Sequence, residues 1–149
     1  MSRKGRFSLE MDIEEIKRLL KKLSKHELEK IIKNLQRITF NFKLNKSFFK
    51  YSSHPITIPK EFYPFFDFHG IAKKQEGTIV FPDGSIAAGY IHNSVSSWGE
   101  YYQIRIRNPY SGIAISKFKV GDTITVEIYR DADKTRIELF NLNNVYSGV

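Results

Sequence analysis

The stretch from Tyr101 to Asp122 carries side chains that could read the edges of nucleic-acid bases. It is free of acidic residues until Asp122, and it holds four basic residues, Arg105, Arg107, Lys117 and Lys119. Its central loop adds further hydrogen-bonding side chains, Asn108, Tyr110 and Ser111. Arginine and asparagine make paired hydrogen bonds to base edges, whereas basic and hydroxyl side chains also suit phosphates. The stretch therefore indicates either a nucleic-acid-reading loop or an ordinary hairpin with solvated arginines.

The same stretch predicts the elements that hold these side chains. Residues 101–107 alternate between apolar and polar types, which is typical of a strand with one buried face and places both arginines on the other face. Residues 108–112 favour a turn, because proline lacks an amide donor and Asn, Ser and Gly adopt turn conformations readily. Residues 113–115 resume the apolar alternation and predict a further short strand, and residues 120–122 predict a second turn.

Short alternating segments occur along most of the chain. They predict strands at residues 39–44, 48–51, 55–60, 78–81, 86–91, 123–129 and 136–140. The Asp83-Gly84 pair predicts a hairpin turn, and the aromatic-rich residues 61–66 predict a short helix or an irregular turn. Residues 92–99 predict a polar connection, in which Trp98 is expected to pack in the core or against a loop. Short strands separated by turns indicate a compact barrel or sandwich.

Two helices are predicted before the first strand. Apolar residues at helical spacing mark one between residues 13 and 23, and residues 24–27 form a capping-box sequence that begins another. A hairpin of about 25 residues is too short to be stable alone, so it must pack on the barrel or on a second copy. The predicted organisation is a basic leader with a helical hairpin at residues 1–38, followed by a β barrel at residues 39–149.

Charge and composition narrow the class of partner. The net charge is +8; residues 1–50 hold 14 Lys/Arg against 6 Asp/Glu, whereas residues 51–149 hold 10 of each. A second acid-free tract runs from Lys30 to Lys60, so a polyanionic partner is expected.

The absence of cysteine excludes disulfides, thiolate metal sites and a cysteine nucleophile. No apolar run approaches the roughly 20 residues of a membrane span, and we expect a soluble, cytoplasmic protein.

No familiar catalytic constellation is present. Pro82-Asp83 matches the start of a restriction-type nuclease site, but the acid-x-Lys triplet that should follow on a strand is missing. The four histidines lack metal-ligand spacing, and the sequence contains neither a phosphate-binding glycine loop nor a nucleophile elbow. We therefore expect no enzyme, no metal site and no cofactor. A nuclease with an unrecognised site is kept as an alternative.

Three segments together carry a family resemblance. Residues 52–62 (SSHPITIPKEF) are a polar loop leading into a strand that ends in Ile-Pro-Lys, residues 105–111 are an arginine-containing loop, and residues 113–128 place Val-Gly-Asp before a strand. In this order they resemble the DNA-binding pseudobarrel family, which includes the plant B-three transcription-factor domain and the EcoRII-type restriction-enzyme recognition domain. Only about eight residues separate Gly112 from Gly121, so the second helix of the plant domains is short or missing here. The restriction-enzyme version is the nearer match.

The resemblance implies a fold and a mode of binding. Over roughly residues 50–140 the fold would be a small open pseudobarrel of the seven-stranded type. The resemblance leaves the helical hairpin unaccounted for, and with that hairpin the chain is expected to be mainly β with an N-terminal helical hairpin (α+β). Two neighbouring loops would grip the major groove of double-stranded DNA. The first would contribute Lys50, Ser52, Ser53 and His54. The second would contribute Arg105, Arg107, Asn108, Tyr110 and Ser111. Five lysines would contact phosphates or remain solvated: Lys60, Lys73, Lys74, Lys117 and Lys119.

The expected function is sequence-specific binding of double-stranded DNA, as the recognition module of a restriction system or as a small regulator. Two other classes stay open. A barrel that binds single strands or RNA would explain 8 Tyr and 12 Phe, but it requires exposed aromatic side chains on one face. A protein-interaction or oligomerisation module would use the helical hairpin as its interface. DNA is the expected partner, with a separate nuclease or a homodimer mate left open and no membrane.

Overall fold

Eight strands hold nearly half of the residues that the structure describes. The computed structural model describes residues 10–19, 21–22, 24–66, 73–107, 112–131 and 134–141. The strands are β1 (Glu10–Asp12), β2 (Arg37–Lys43), β3 (Ile56–Thr57), β4 (Lys74–Val80), β5 (Ile86–Ser96), β6 (Gly99–Ile106), β7 (Thr123–Asp131) and β8 (Lys134–Asn141).

All eight strands belong to one mixed sheet. Their order is β1-β2-β7-β8-β4-β5-β6-β3. The β1–β2 and β4–β8 pairs are parallel, and the other pairs are antiparallel. Strands β2 to β8 curl into a barrel-like shape that is nearly closed, with an unsealed seam. This confirms the predicted mainly β fold with N-terminal helices and an open seven-stranded pseudobarrel. Of the strand predicted at residues 55–60, Ile56 and Thr57 form β3, which lies at one end of the sheet.

One face of each long strand supplies the core. Ile124, Val126 and Ile128 of β7 are fully buried, as the alternation of residues 123–129 predicts. In β6 the inward side chains, Tyr102, Ile104 and Ile106, are also buried. Each large apolar side chain contributes about 1.5–3 kcal/mol when buried. Since a one-residue slip would exchange the two faces, this burial also determines which polar side chains point outward.

The N-terminal helices pack onto the barrel. They are α1 (Ile13–Leu19) and α2 (Lys25–Lys33), and the predicted capping box at residues 24–27 is present. Leu28 and Ile32 of α2 belong to the same apolar cluster as the strands. The barrel thus provides the support that the short hairpin needs. No helix in the described ranges has both the length and the apolar character required to cross a bilayer.

Helix α3 (Lys46–Lys50) shows that the strand expected at residues 48–51 is wrong. The side chain of Asn45 caps this helix, since its Oδ1 accepts a hydrogen bond from Phe48 N at 3.0 Å. The helical turn carries Phe48 into the core, where its ring packs edge-on against Phe49 and Phe118. A 3₁₀ helix (Lys60–Phe65) confirms the short helix predicted at residues 61–66.

The strand expected at residues 113–115 is also wrong, because these residues form part of helix α4 (Gly112–Ile115). The turn continues beyond the helix, where Phe118 N donates to Ile115 O at 3.0 Å. One helical turn therefore buries Ile115 and Phe118 without a strand. The predicted turn at residues 120–122 is present, and Gly121 takes a φ of 96° that only glycine adopts readily.

Strand β5 replaces most of the polar connection expected at residues 92–99. It pairs with β6 from Gly89↔Ile106 to Ser96↔Gly99, which leaves only Ser97 and Trp98 as the turn. Hydrogen bonding to β6 keeps residues 92–96 in a strand although most of them are polar. The result is a long hairpin whose tip carries Trp98.

Candidate nucleic-acid interface

The two predicted loops meet where β3 lies beside β6. The carbonyl of Ser53 accepts a hydrogen bond from Ile106 N at 2.7 Å, and Ile56 pairs with Ile104 in the sheet. The first loop therefore lies directly against the end of the strand that carries Arg105. Three residues predicted in the second loop, Asn108, Tyr110 and Ser111, lie outside the described residues.

Arg105 is held at this junction by three hydrogen bonds. Its Nε and Nη2 donate to Gln103 Oε1 at 3.1 and 2.7 Å. Its Nη1 donates to Ser53 Oγ at 2.8 Å, across 52 positions of sequence. A guanidinium has five N–H donors, so two remain for a ligand as far as the described residues show. Because these contacts orient the planar group in advance, little conformational entropy is left to lose on binding.

Outward side chains on β4, β5, β6 and β3 form a continuous surface around Arg105. The strand register aligns two rows across the sheet. The first row is Lys74, His92, Gln103 and Thr57. The second row is Glu76, Tyr90 and Arg105. We call these seven residues, with Ser53 and Arg107, the cationic face.

Tyr90 holds two of the cations in place. The Nζ of Lys74 and the Cζ of Arg107 each lie 4.7 Å from the centroid of its ring. At an exposed site each such contact contributes about 0.5–1 kcal/mol. Arg107 Nη2 also binds the carboxylate of Glu76, at 2.9 and 3.2 Å. An exposed ion pair contributes only about 0–1 kcal/mol, so a phosphate can compete with Glu76 for this guanidinium.

The pKa of His92 is set by its burial and by the positive charge of the cationic face. Partial burial lowers this pKa below its ordinary value, and the nearby charges of Arg105 and Lys74 lower it further. The ring is therefore neutral at pH 7. An anion bound beside these cations would reverse part of the shift, because it favours the charged imidazolium.

The His54 side chain contacts Phe48 within the protein. Its Nδ1–H donates to the carbonyl of Phe48 at 2.8 Å, and its ring centroid lies 5.2 Å from that of Phe48. The backbone of His54 has a φ of 47°, a left-handed conformation uncommon outside glycine. Only its Nε2 is left to serve the predicted role in DNA contact, since Nδ1 is engaged within the loop.

The remaining predicted residues fall into two groups. Lys50 and Ser52 are exposed on the first loop, where the Nζ of Lys50 lies 5.5 Å from the ring centroid of Tyr51. Lys60 is exposed at the start of the 3₁₀ helix but belongs to neither row of the cationic face. Lys117 binds Asp83 at 2.9 Å. Hydrogen bonds from Ser85 and from Lys117 hold the pKa of Asp83 far below its usual range, so Lys117 is engaged within the fold.

Sequence reasoning missed four members of the face, Thr57, Tyr90, His92 and Gln103, as well as its acid, Glu76. The alternation of residues 86–91, extended to residue 96, would have indicated that Tyr90 and His92 share a side of β5. It could not have shown that β4 and β6 flank that strand. The surface built around the acid-free stretch is therefore not free of acids, because β4 contributes Glu76.

The chemistry of the face is that of a binding surface. Guanidinium N–H groups, an ammonium group and an amide side chain supply donors to anionic and base-edge acceptors. Among the residues that the structure describes, no three His, Asp or Glu side chains cluster closely enough to hold a metal ion. Comparisons of the chain with protein-family models, with curated proteins and with solved structures find no match.

Proposed function

We propose that this protein binds double-stranded DNA in a sequence-dependent manner through the cationic face and the loop of residues 50–54. The observation that carries the proposal is the Arg105–Ser53 contact, which joins two acid-free tracts far apart in the chain into one rigid, positively charged surface. Base reading needs donors that are already oriented, and phosphate binding needs positive charge beside them. The face combines the two.

Each cation on the face has a distinct part in this proposal. Arg105, fixed by Gln103 and Ser53, presents its free N–H groups to a guanine edge. Arg107 exchanges the carboxylate of Glu76 for a phosphate, and Lys74 and Lys50 contact the backbone on either side. The role of a restriction-system recognition module, or of a small regulator, belongs to the same proposal.

The proposal is tested by titrating the full-length protein into fluorescently labelled random duplex pools and recovering the bound sequences. We expect an enriched sequence and steep salt dependence, because phosphate contacts release counterions. Three such contacts, from Arg107, Lys74 and Lys50, predict a loss of about 40-fold in affinity between 50 and 200 mM salt. Affinity that stays flat over this range, or a bound pool without any sequence preference, contradicts the proposal.

Binding is also expected to tighten as pH falls. Phosphates beside His92 raise its lowered pKa, so the complex takes up a proton as it forms. Anisotropy titrations at constant ionic strength should show tighter binding at pH 5.5 than at pH 7.5, by up to about tenfold for each unit of pKa change. His92→Gln should remove most of this difference. Equal pH dependence in the two proteins would assign the effect to another group.

The stability of the free protein should change in the opposite sense. Folding lowers the pKa of His92, so the folded state binds the proton less well than the unfolded state does. The stabilisation from this group is complete above the unfolded-state pKa of about 6.5 and is lost as pH falls through the folded-state pKa. Acid thus weakens the free fold while it strengthens the complex.

A further inference from the structure

The tip of the β5–β6 hairpin carries the most exposed large hydrophobic side chain among the described residues. Trp98 is 91% exposed, and it is the only tryptophan in the sequence. The expectation that it packs in the core or against a loop is therefore wrong. A side chain of this size normally buries its ring, so its exposure requires an explanation.

Hydrogen bonds hold the tip in a defined shape. The Oγ of Ser96 accepts from Trp98 N at 3.1 Å and donates to Gly99 O at 3.3 Å. Gly99 has a φ of 116°, which allows the chain to reverse after only two residues. The paired strands below continue without interruption to the cationic face. Trp98 is therefore presented on a rigid arm.

The size and charge of the tip narrow the kind of partner. Apart from Trp98, its exposed apolar surface comes from Val95, which is 49% exposed. A stable protein interface buries about 800 Å² on each side, whereas one aromatic side chain buries about 150–250 Å². Glu100 is the one charged residue between residues 93 and 102, so the tip lacks the lysines and arginines that attract anionic lipid. An isolated aromatic ring of this kind is what a single nucleobase needs for stacking.

We propose that Trp98 stacks on a nucleobase that has left the helical stack of the DNA held by the cationic face. This inference rests on the proposed function and specifies its substrate. Trp98 stands seven residues from Arg105 along β6, a span of about 24 Å at the rise of an extended strand. That distance corresponds to about seven nucleotides of one DNA strand. Forcing a paired base step apart costs free energy, so the preferred ligand is a duplex with an unpaired base or a single-stranded extension at that distance.

Fluorescence of the sole tryptophan tests this directly. The full-length protein is titrated with three labelled DNAs: a paired duplex, the same duplex with an unpaired base about seven nucleotides from the bound site, and the single strand. Label anisotropy measures binding, and tryptophan emission measures stacking. We expect quenching with the unpaired-base duplex. Trp98→Ala should weaken that complex by about 5–150-fold and change the affinity for the paired duplex less than twofold. Trp98→Phe should retain most of the affinity.

The outcomes separate the two proposals. Binding of both duplexes without quenching, and with equal affinity after Trp98→Ala, overturns the stacking inference and leaves the proposed function standing. Single-strand binding that depends on Trp98, with no binding of the paired duplex, overturns the proposed function and supports stacking. Failure to bind any of the three DNAs overturns both. A change in emission with anionic lipid vesicles but with none of the DNAs assigns the tip to membranes and overturns the stacking inference.

Discussion

Arg105→Ala is expected to lower the affinity for the preferred DNA sequence by about 5–150-fold, since a bidentate arginine–guanine contact discriminates by about 1–3 kcal/mol. The loss arises because Arg105 is the cation that both loops position, through Gln103 and Ser53. Affinity for the preferred duplex should fall toward that for random DNA. Competition titrations with the two duplexes at one fixed salt concentration measure the ratio.

A matched control is provided on another part of the sheet. Arg136 on β8 is likewise an outward arginine, paired with Glu138 at 2.6 Å, and it lies outside the cationic face. Arg136→Ala removes the same charge and should change DNA affinity less than twofold. Arg105→Lys keeps the charge but not the paired donors, so it should retain affinity for random DNA while losing sequence preference. Equal losses for Arg105→Ala and Arg136→Ala would show that only net charge matters.

Phe48→Ala is expected to lower the free energy of unfolding by about 3–5 kcal/mol, the usual cost of removing a buried aromatic side chain. Phe48 is completely buried. It contacts Phe118 and Phe49, and the His54 ring packs on it. Its removal therefore leaves a cavity in the core and loosens the loop that carries Ser53. Urea denaturation followed by circular dichroism measures the change.

The control for this prediction lies three residues further along the chain. Tyr51 is also aromatic but is half exposed, so Tyr51→Ala should alter the free energy of unfolding by less than about 0.5 kcal/mol. Domains of this size have only about 5–15 kcal/mol of stability in total. If Phe48→Ala does not fold, Phe48→Leu can be measured instead, because it should lower the free energy of unfolding by less. Equal stability for Phe48→Ala and Tyr51→Ala would contradict the described core.

Patterns confined to a few neighbouring residues were predicted correctly. The alternation of residues 123–129, the Asp83-Gly84 turn and the capping box at residues 24–27 all occur as expected. In each case the controlling interactions are local or follow from a single buried face. Such features can be inferred from residue type and spacing alone.

Predictions failed where a distant contact decided the conformation. The helical turns at Phe48 and at Ile115 bury side chains that would also fit a strand, so apolar spacing could not separate the two. Residues 92–96 look like a loop by composition, but β6 supplies hydrogen-bonding partners along their whole length. The exposure of Trp98 follows from that long hairpin, because the turn extends beyond the rest of the core.

By itself, the sequence determined that this is a basic, cysteine-free, mainly β chain whose strands each have one apolar face. It also marked two acid-free tracts. Only the tertiary structure decided that Ser53 lies beside Arg105, that Lys74 and Tyr90 join them, and that Glu76 lies among them. The physical reason is that the alternation of side chains within a strand determines which face is buried. The neighbours of that strand depend instead on pairing with distant segments, as for β3 with β6. The candidate site is built from those pairings.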